Sequence, residues 1–165
     1  MGITLEINRD VQLRIVFSQD FSSDETKEIT ESFSKILPTI QNRVGTASVQ
    51  PIDMDTAVIV IFIILTPIAE VFLRSIGSDI YKKAKEKIIN ILNKKKNPTL
   101  FFQFKSVSKN TDIVIKSQTN DKDELSIIFD TIDKARELAM KEVKKEDAYK
   151  IITVNYDNGW TLDSE

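Results

Sequence analysis

The chain has 165 residues, 41% of them hydrophobic and 29% charged, with a formal net charge of −2. That balance fits one folded domain with a sizeable core and gives no global attraction to nucleic acid or to an anionic membrane, so nucleic acid is not an expected partner. The absence of cysteine and histidine excludes disulfides, thiolate metal sites, thiol nucleophiles and the commonest general base, and no cofactor is indicated.

The opening MGITLEINRD has no basic stretch leading into an apolar one, so a cleaved secretory signal is not expected and the expected location is cytoplasmic. Ile3, Leu5 and Ile7 alternate with polar residues, as do Val11, Leu13 and Ile15, which predicts two half-buried strands. Ser22 and Glu25 stand at capping-box spacing, and Ile29, Phe33, Ile36 and Ile40 follow at helical spacing up to the break at Pro38. Residues 41 to 55 read as an irregular connection, with a short strand around Ala47 to Val49.

An unbroken apolar run, Ala57 to Leu65, comes next and continues through Thr66-Pro67 into an amphipathic pattern ending at Lys94-Lys95-Lys96. Three readings fit it. As a soluble helix it starts at Asp55 or Thr56, kinks at Pro67 and needs cover on every side. As a transmembrane helix, Ala57 to Leu73 reaches about 25 Å against a hydrocarbon core of about 30 Å, with acids before it and bases after it that set the C-terminal part in the cytoplasm. As a strand, Val58 to Leu65 is rich in β-branched residues, and Pro67 opens the following helix. The stripe Ile68, Phe72, Ile76, Ile80, Ala84, Ile88 and Leu92 predicts helix from Pro67 to about Asn93, with Gly77 its weak point.

Beyond Asn97-Pro98, Leu100, Phe102 and Phe104 alternate, with Phe101 facing the other way, and Ile113 to Ile115 is a second strand. Asn120-Asp121 precedes a helix whose stripe is Leu125, Ile128, Ile132, Ala135, Ala139 and Val143. Tyr149 to Tyr156 reads as a strand, and Asn158-Gly159 signals a hairpin into Trp160 to Leu162. Ser117-Gln118 repeats Ser18-Gln19 at the offset that also relates Glu124 to Glu25 and Ile128 to Ile29, a weak internal repeat.

The expected fold is therefore α+β in one domain over 1–165. Two ββα-like units, 1–45 and 99–165 with its C-terminal β-hairpin, flank a long central helix over 56–96, and the sheet is mainly antiparallel.

Four groups of residues are candidates for a site. Val58, Ile61, Phe62, Leu65 and Phe72 belong to the segment that would meet a partner or a membrane. Lys82, Lys83, Lys85, Lys94, Lys95 and Lys96 form a candidate anion patch, or else a solvated helix face with cations at its C-terminus. Asp53 and Asp55 have a D-x-D spacing used for divalent cations, as do Asp121 and Asp123, but acids at that spacing also suit helix N-termini. Glu70, set among Ile68, Ala69, Val71 and Phe72, is either a rim residue or a buried carboxylate paired with Arg74. No glycine-rich phosphate loop or nucleophile elbow is present. The expected function is non-catalytic: an interaction or assembly protein that self-associates or binds a protein partner through its apolar central segment. A single-span membrane protein and a carboxylate-based metal enzyme are the alternatives.

Overall fold

The computed structural model describes residues 13–43, 57–63, 66–105, 110–143 and 149–163, apart from the side chains of 66 and 67. They form seven strands and five helices in a mixed α+β arrangement: β1 (Leu13–Phe17), α1 (Ser23–Ser34), β2 (Thr39–Arg43), β3 (Val58–Ile63), α2 (Thr66–Ser75), α3 (Asp79–Leu92), β4 (Thr99–Lys105), β5 (Thr111–Ser117), α4 (Lys122–Asp130), α5 (Ile132–Met140), β6 (Lys150–Tyr156) and β7 (Trp160–Leu162). One sheet takes all seven strands in the order β2-β1-β3-β4-β5-β6-β7.

Parallel and antiparallel neighbours alternate across this sheet. The pairs β1–β2, β3–β4 and β5–β6 are parallel, and β1–β3, β4–β5 and β6–β7 are antiparallel. The sheet is thus mixed rather than mainly antiparallel. Each parallel pair is bridged by helix: α1 joins β1 to β2, α2 and α3 join β3 to β4, and α4 and α5 join β5 to β6. β4, β5 and α4 do follow in the strand–strand–helix order expected of the second unit, but the sheet is organised by these crossovers and not by two separate ββα units. The first of the two strands expected near the N-terminus, Ile3 to Ile7, lies outside the described residues.

The apolar run is not the start of a long helix. Val58, Ile59, Val60, Ile61 and Ile63 are β-branched, and side-chain stiffness favours them on a pleated surface, so the run becomes β3, between β1 and β4. Pro67 falls in the first turn of α2, where its missing N–H leaves no helical bond unmade. The amphipathic half also divides. Gly77, at φ +89°, ends the α2 turn, and Ser78 caps α3 by accepting from the Tyr81 amide at 3.2 Å. Ala57 to Leu73 is therefore strand and then helix, and among the described residues no helix is long and apolar enough to cross a membrane.

β2 occupies Thr39–Arg43, so Ile40 belongs to an edge strand and not to the α1 stripe. The helix predicted beyond Asp121 also breaks, at Thr131 (φ −123°, ψ 19°), into α4 and α5. The Ser22–Glu25 capping box forms with both bonds, at 2.9 and 3.1 Å. Asn158 and Gly159 take positive φ at the β6–β7 turn, as the hairpin requires.

All five helices cover the same face. Leu13, Ile15 and Phe17 of β1, Ile59, Ile61 and Ile63 of β3, Leu100, Phe102 and Phe104 of β4 and Ile113 and Ile115 of β5 point to it and are fully buried. The Phe102 ring lies 6.3 Å from Phe72 on α2 and 5.4 Å from Phe129 on α4, so these two helices meet over β4. This shared face has a topological consequence. β1 and β5 run in the same direction, yet the step to β2 goes one way across the sheet and the step to β6 the other. With helices on one side only, the third crossover has the opposite hand to the first two, although right-handed crossovers dominate known folds. The sequence offset that aligns β1–α1 with β5–α4 therefore does not extend to a repeated three-element unit.

Candidate functional site

The second face of the sheet carries no described helix or strand. Register across the strands sets Ile40, Arg14, Phe62, Gln103, Val114 and Thr153 in one row of this face. Asn42, Val16, Val60, Phe101, Lys116 and Asn155 form the next row. Alternation along each strand puts these side chains opposite the core. Val16, Val60, Phe62, Phe101 and Val114 are half-buried, packed edge to edge, and Ile40 and Arg14 are exposed. The result is an apolar centre of three aliphatic and two aromatic residues on β1, β3, β4 and β5.

The two charged residues in these rows are both cations. Arg14 stands beside Phe62 on the neighbouring strand. Lys116 stands beside Phe101, with its Nζ 6.0 Å from the ring centroid. None of the ion pairs among the described residues involves either one. At the margin of the same face, Asp112 is buried and accepts a hydrogen bond from the Tyr149 hydroxyl, while its other oxygen lies 4.0 Å from Lys105 Nζ. The hydrogen bond to Asp112 pushes the Tyr149 phenol above its ordinary pKa, because the neutral O–H is the form that donates.

The expected contact residues divide between the two faces. Ile61 and Phe72 are wholly buried in the core, whereas Val58 and Phe62 look out from the open face of β3. Leu65 lies outside the described residues, as do Asp53 and Asp55. Among the described residues no three carboxylates lie close enough to hold a metal ion. Glu70 is an exposed rim residue and not a buried carboxylate: 60% of its side chain is accessible, and its Oε2 lies 3.7 Å from Arg74 Nη2. Helical geometry turns it outward while Ile68, Ala69 and Phe72 turn in.

The candidate lysines divide into two ion-paired ones and four exposed ones. Lys85 binds Asp130 at 3.0 Å and Ser126 at 3.1 Å, tying α3 to α4. Lys95 binds Glu25 at 2.7 Å and the Asp20 carbonyl at 2.9 Å, and sits 5.0 Å from the Phe21 ring centroid. Lys82, Lys83, Lys94 and Lys96 remain exposed. A depression near the C-terminal ends of β1 and β2, where open α/β sheets often bind ligands, includes Lys27, Asn42 and Arg43. The Arg43 guanidinium is already committed there to the Phe21 carbonyl at 2.7 Å.

Sequence reasoning missed Arg14, Val16, Val60, Val114 and Lys116 as surface residues. Their signal was present in the alternate positions of the strands, which are all apolar at β3 and include one apolar residue each, Phe101 and Val114, at β4 and β5. No protein-family model matches this chain, and neither a curated protein nor a solved structure matches it, so the surface chemistry alone carries the functional reading.

Proposed function

We propose that this protein is a non-catalytic interaction module that docks another protein on the open face of its sheet. The observation behind this reading is the apolar centre around Val60, Phe62 and Phe101, on a face against which no described element packs. Apolar side chains grouped on such a face, rimmed by polar ones, are a feature of contact sites. Three of the six residues of β3, Val58, Val60 and Phe62, look out on this face. A second copy of the chain fits less well, because face-to-face stacking brings Arg14 and Lys116 of both copies together with no carboxylate in the two central rows.

The test is a photo-crosslinking amino acid at position 101 in the native host. A protein adduct is expected, its yield falling several-fold when Val60 and Phe62 are both changed to Ser, with no matching adduct from position 83 on α3. A yield indifferent to those two substitutions overturns the reading. So does resistance of Phe62 and Phe101 to hydroxyl radicals in the isolated chain, at the level of the core residues Phe72 and Phe102.

A further inference from the structure

The order of side chains across the open face specifies the chemistry of its partner. Arg14 is on β1 and Lys116 on β5, three strand spacings apart and two residues apart along the strands. At about 4.8 Å per strand and about 3.3 Å per residue, their backbones lie roughly 16 Å apart on a diagonal. That diagonal crosses β3 next to Phe62 and β4 next to Phe101. The track therefore reads cation, aromatic, aromatic, cation. The rest of the two rows adds valine, isoleucine, threonine and amide side chains but no carboxylate. The chain is slightly acidic overall, so two central rows whose charged groups are both basic depart from its average, with Asp112 and Lys105 paired at the margin beyond them.

Resting on the interaction role proposed above, we infer that the Arg14–Phe62–Phe101–Lys116 diagonal receives an acidic amphipathic helix of a partner protein. One carboxylate meets each cation, and apolar side chains between them cover the two rings. Charge complementarity selects this occupant: neither cation forms an ion pair among the described residues, and each borders the apolar centre, where a carboxylate at the rim of the contact finds a charged partner. A helix rises about 1.5 Å per residue, so carboxylates about 11 residues apart, three turns on one face, span the diagonal. Apolar residues one and two turns in from the first acid would meet Phe62 and Phe101.

The probe is a synthetic helical peptide of about five turns with two Glu on one face separated by about three turns and Leu and Ile between them. Its control carries Lys in place of both Glu. Fluorescence anisotropy with the full chain is expected to show the acidic peptide binding at least tenfold more tightly at low salt, with the preference shrinking as salt rises. The double variant Arg14→Glu/Lys116→Glu is expected to reverse the preference, and Arg14→Gln/Lys116→Gln to abolish it. Thermal melts matching the parent show that both variants fold. Equal binding of the two peptides, binding of neither, or a preference unchanged by the charge reversal overturns the inference. If Phe62 and Phe101 meanwhile remain reactive and the crosslink still depends on Val60 and Phe62, the interaction role stands and only the acidic helix is rejected. A dimer in light scattering that dissociates on Phe62→Ser would instead assign the face to a second copy.

Discussion

Glu25 receives both the Ser22 amide, at 2.9 Å, and the Lys95 ammonium, at 2.7 Å. Burial by itself would raise its pKa, but the hydrogen bonds from Lys95 and Ser22 outweigh it and hold the carboxyl below its ordinary value. A lowered folded pKa contributes stability that is complete above the unfolded value of 4.5 and is lost as pH falls through the folded value. Glu25→Gln keeps a capping side chain but removes the charge. Urea unfolding at neutral pH should find it less stable by roughly 1 kcal/mol, with the gap closing as pH falls below 4.5 and through the folded value. A gap that stays constant with pH would mean that the charge on Glu25 contributes nothing. Tyr81 shows a different economy of polar groups: its ring is buried against Phe72 and Phe129, and its hydroxyl donates to the Phe129 carbonyl, so a buried phenol is left with a partner. Burial and the nearby Asp130 and Asp133 raise its pKa and keep it neutral.

At the scale of elements, Gly77 separates α2 from α3. Its φ of +89° suits glycine, and an added Cβ would meet nothing within 4 Å. The cost of Gly77→Ala is then purely conformational, about 1 kcal/mol or slightly more, with no loss of packing. Thermal unfolding should show that decrease, and an increase in stability would mean that the turn relaxes to negative φ and the two helices merge. The elements readable from sequence are those with local chemistry of their own: the Ser22 cap, the alternation in β4, the stripe Leu125, Ile128, Ile132 on α4 and α5, and the Asn158-Gly159 turn. β3 was legible only as one of three readings, through its β-branched residues and Pro67, because valine, isoleucine and phenylalanine on both faces erase the period of two that marks a half-buried strand. β2 was hidden because Ile40 continues the helical spacing of Phe33 and Ile36 while Thr39, Gln41 and Asn42 carry no apolar pattern. The open face followed the same logic: a side chain's direction on β3 is fixed by its register with β1 and β4, which no local pattern contains.

For the whole molecule, the described helices form one layer on one face of a mixed sheet, and no described helix or strand covers the other face. Three valines and two phenylalanines stand there, bordered by Arg14 and Lys116, and they carry the docking role proposed above. The alternation of parallel and antiparallel pairs also sets an order in time. β4 and β5, in the middle of the sheet, are joined by a short connection, whereas β3 must wait for α2 and α3 before it can meet β4. Loop closure favours the short connection first, so the β4–β5 hairpin with its Phe102 and Phe104 face should nucleate folding, and β1 and β2 should join late. Chevron analysis is then expected to give Ile115→Val a slower folding arm and Ile15→Val chiefly a faster unfolding arm. The opposite assignment would move the nucleus to the β1–α1–β2 end. Until β1 docks, the outer edge of β3, with its apolar residues on both sides, stays unpaired. The last step of folding is thus also the step that removes the chain's most adhesive strand from reach of its neighbours.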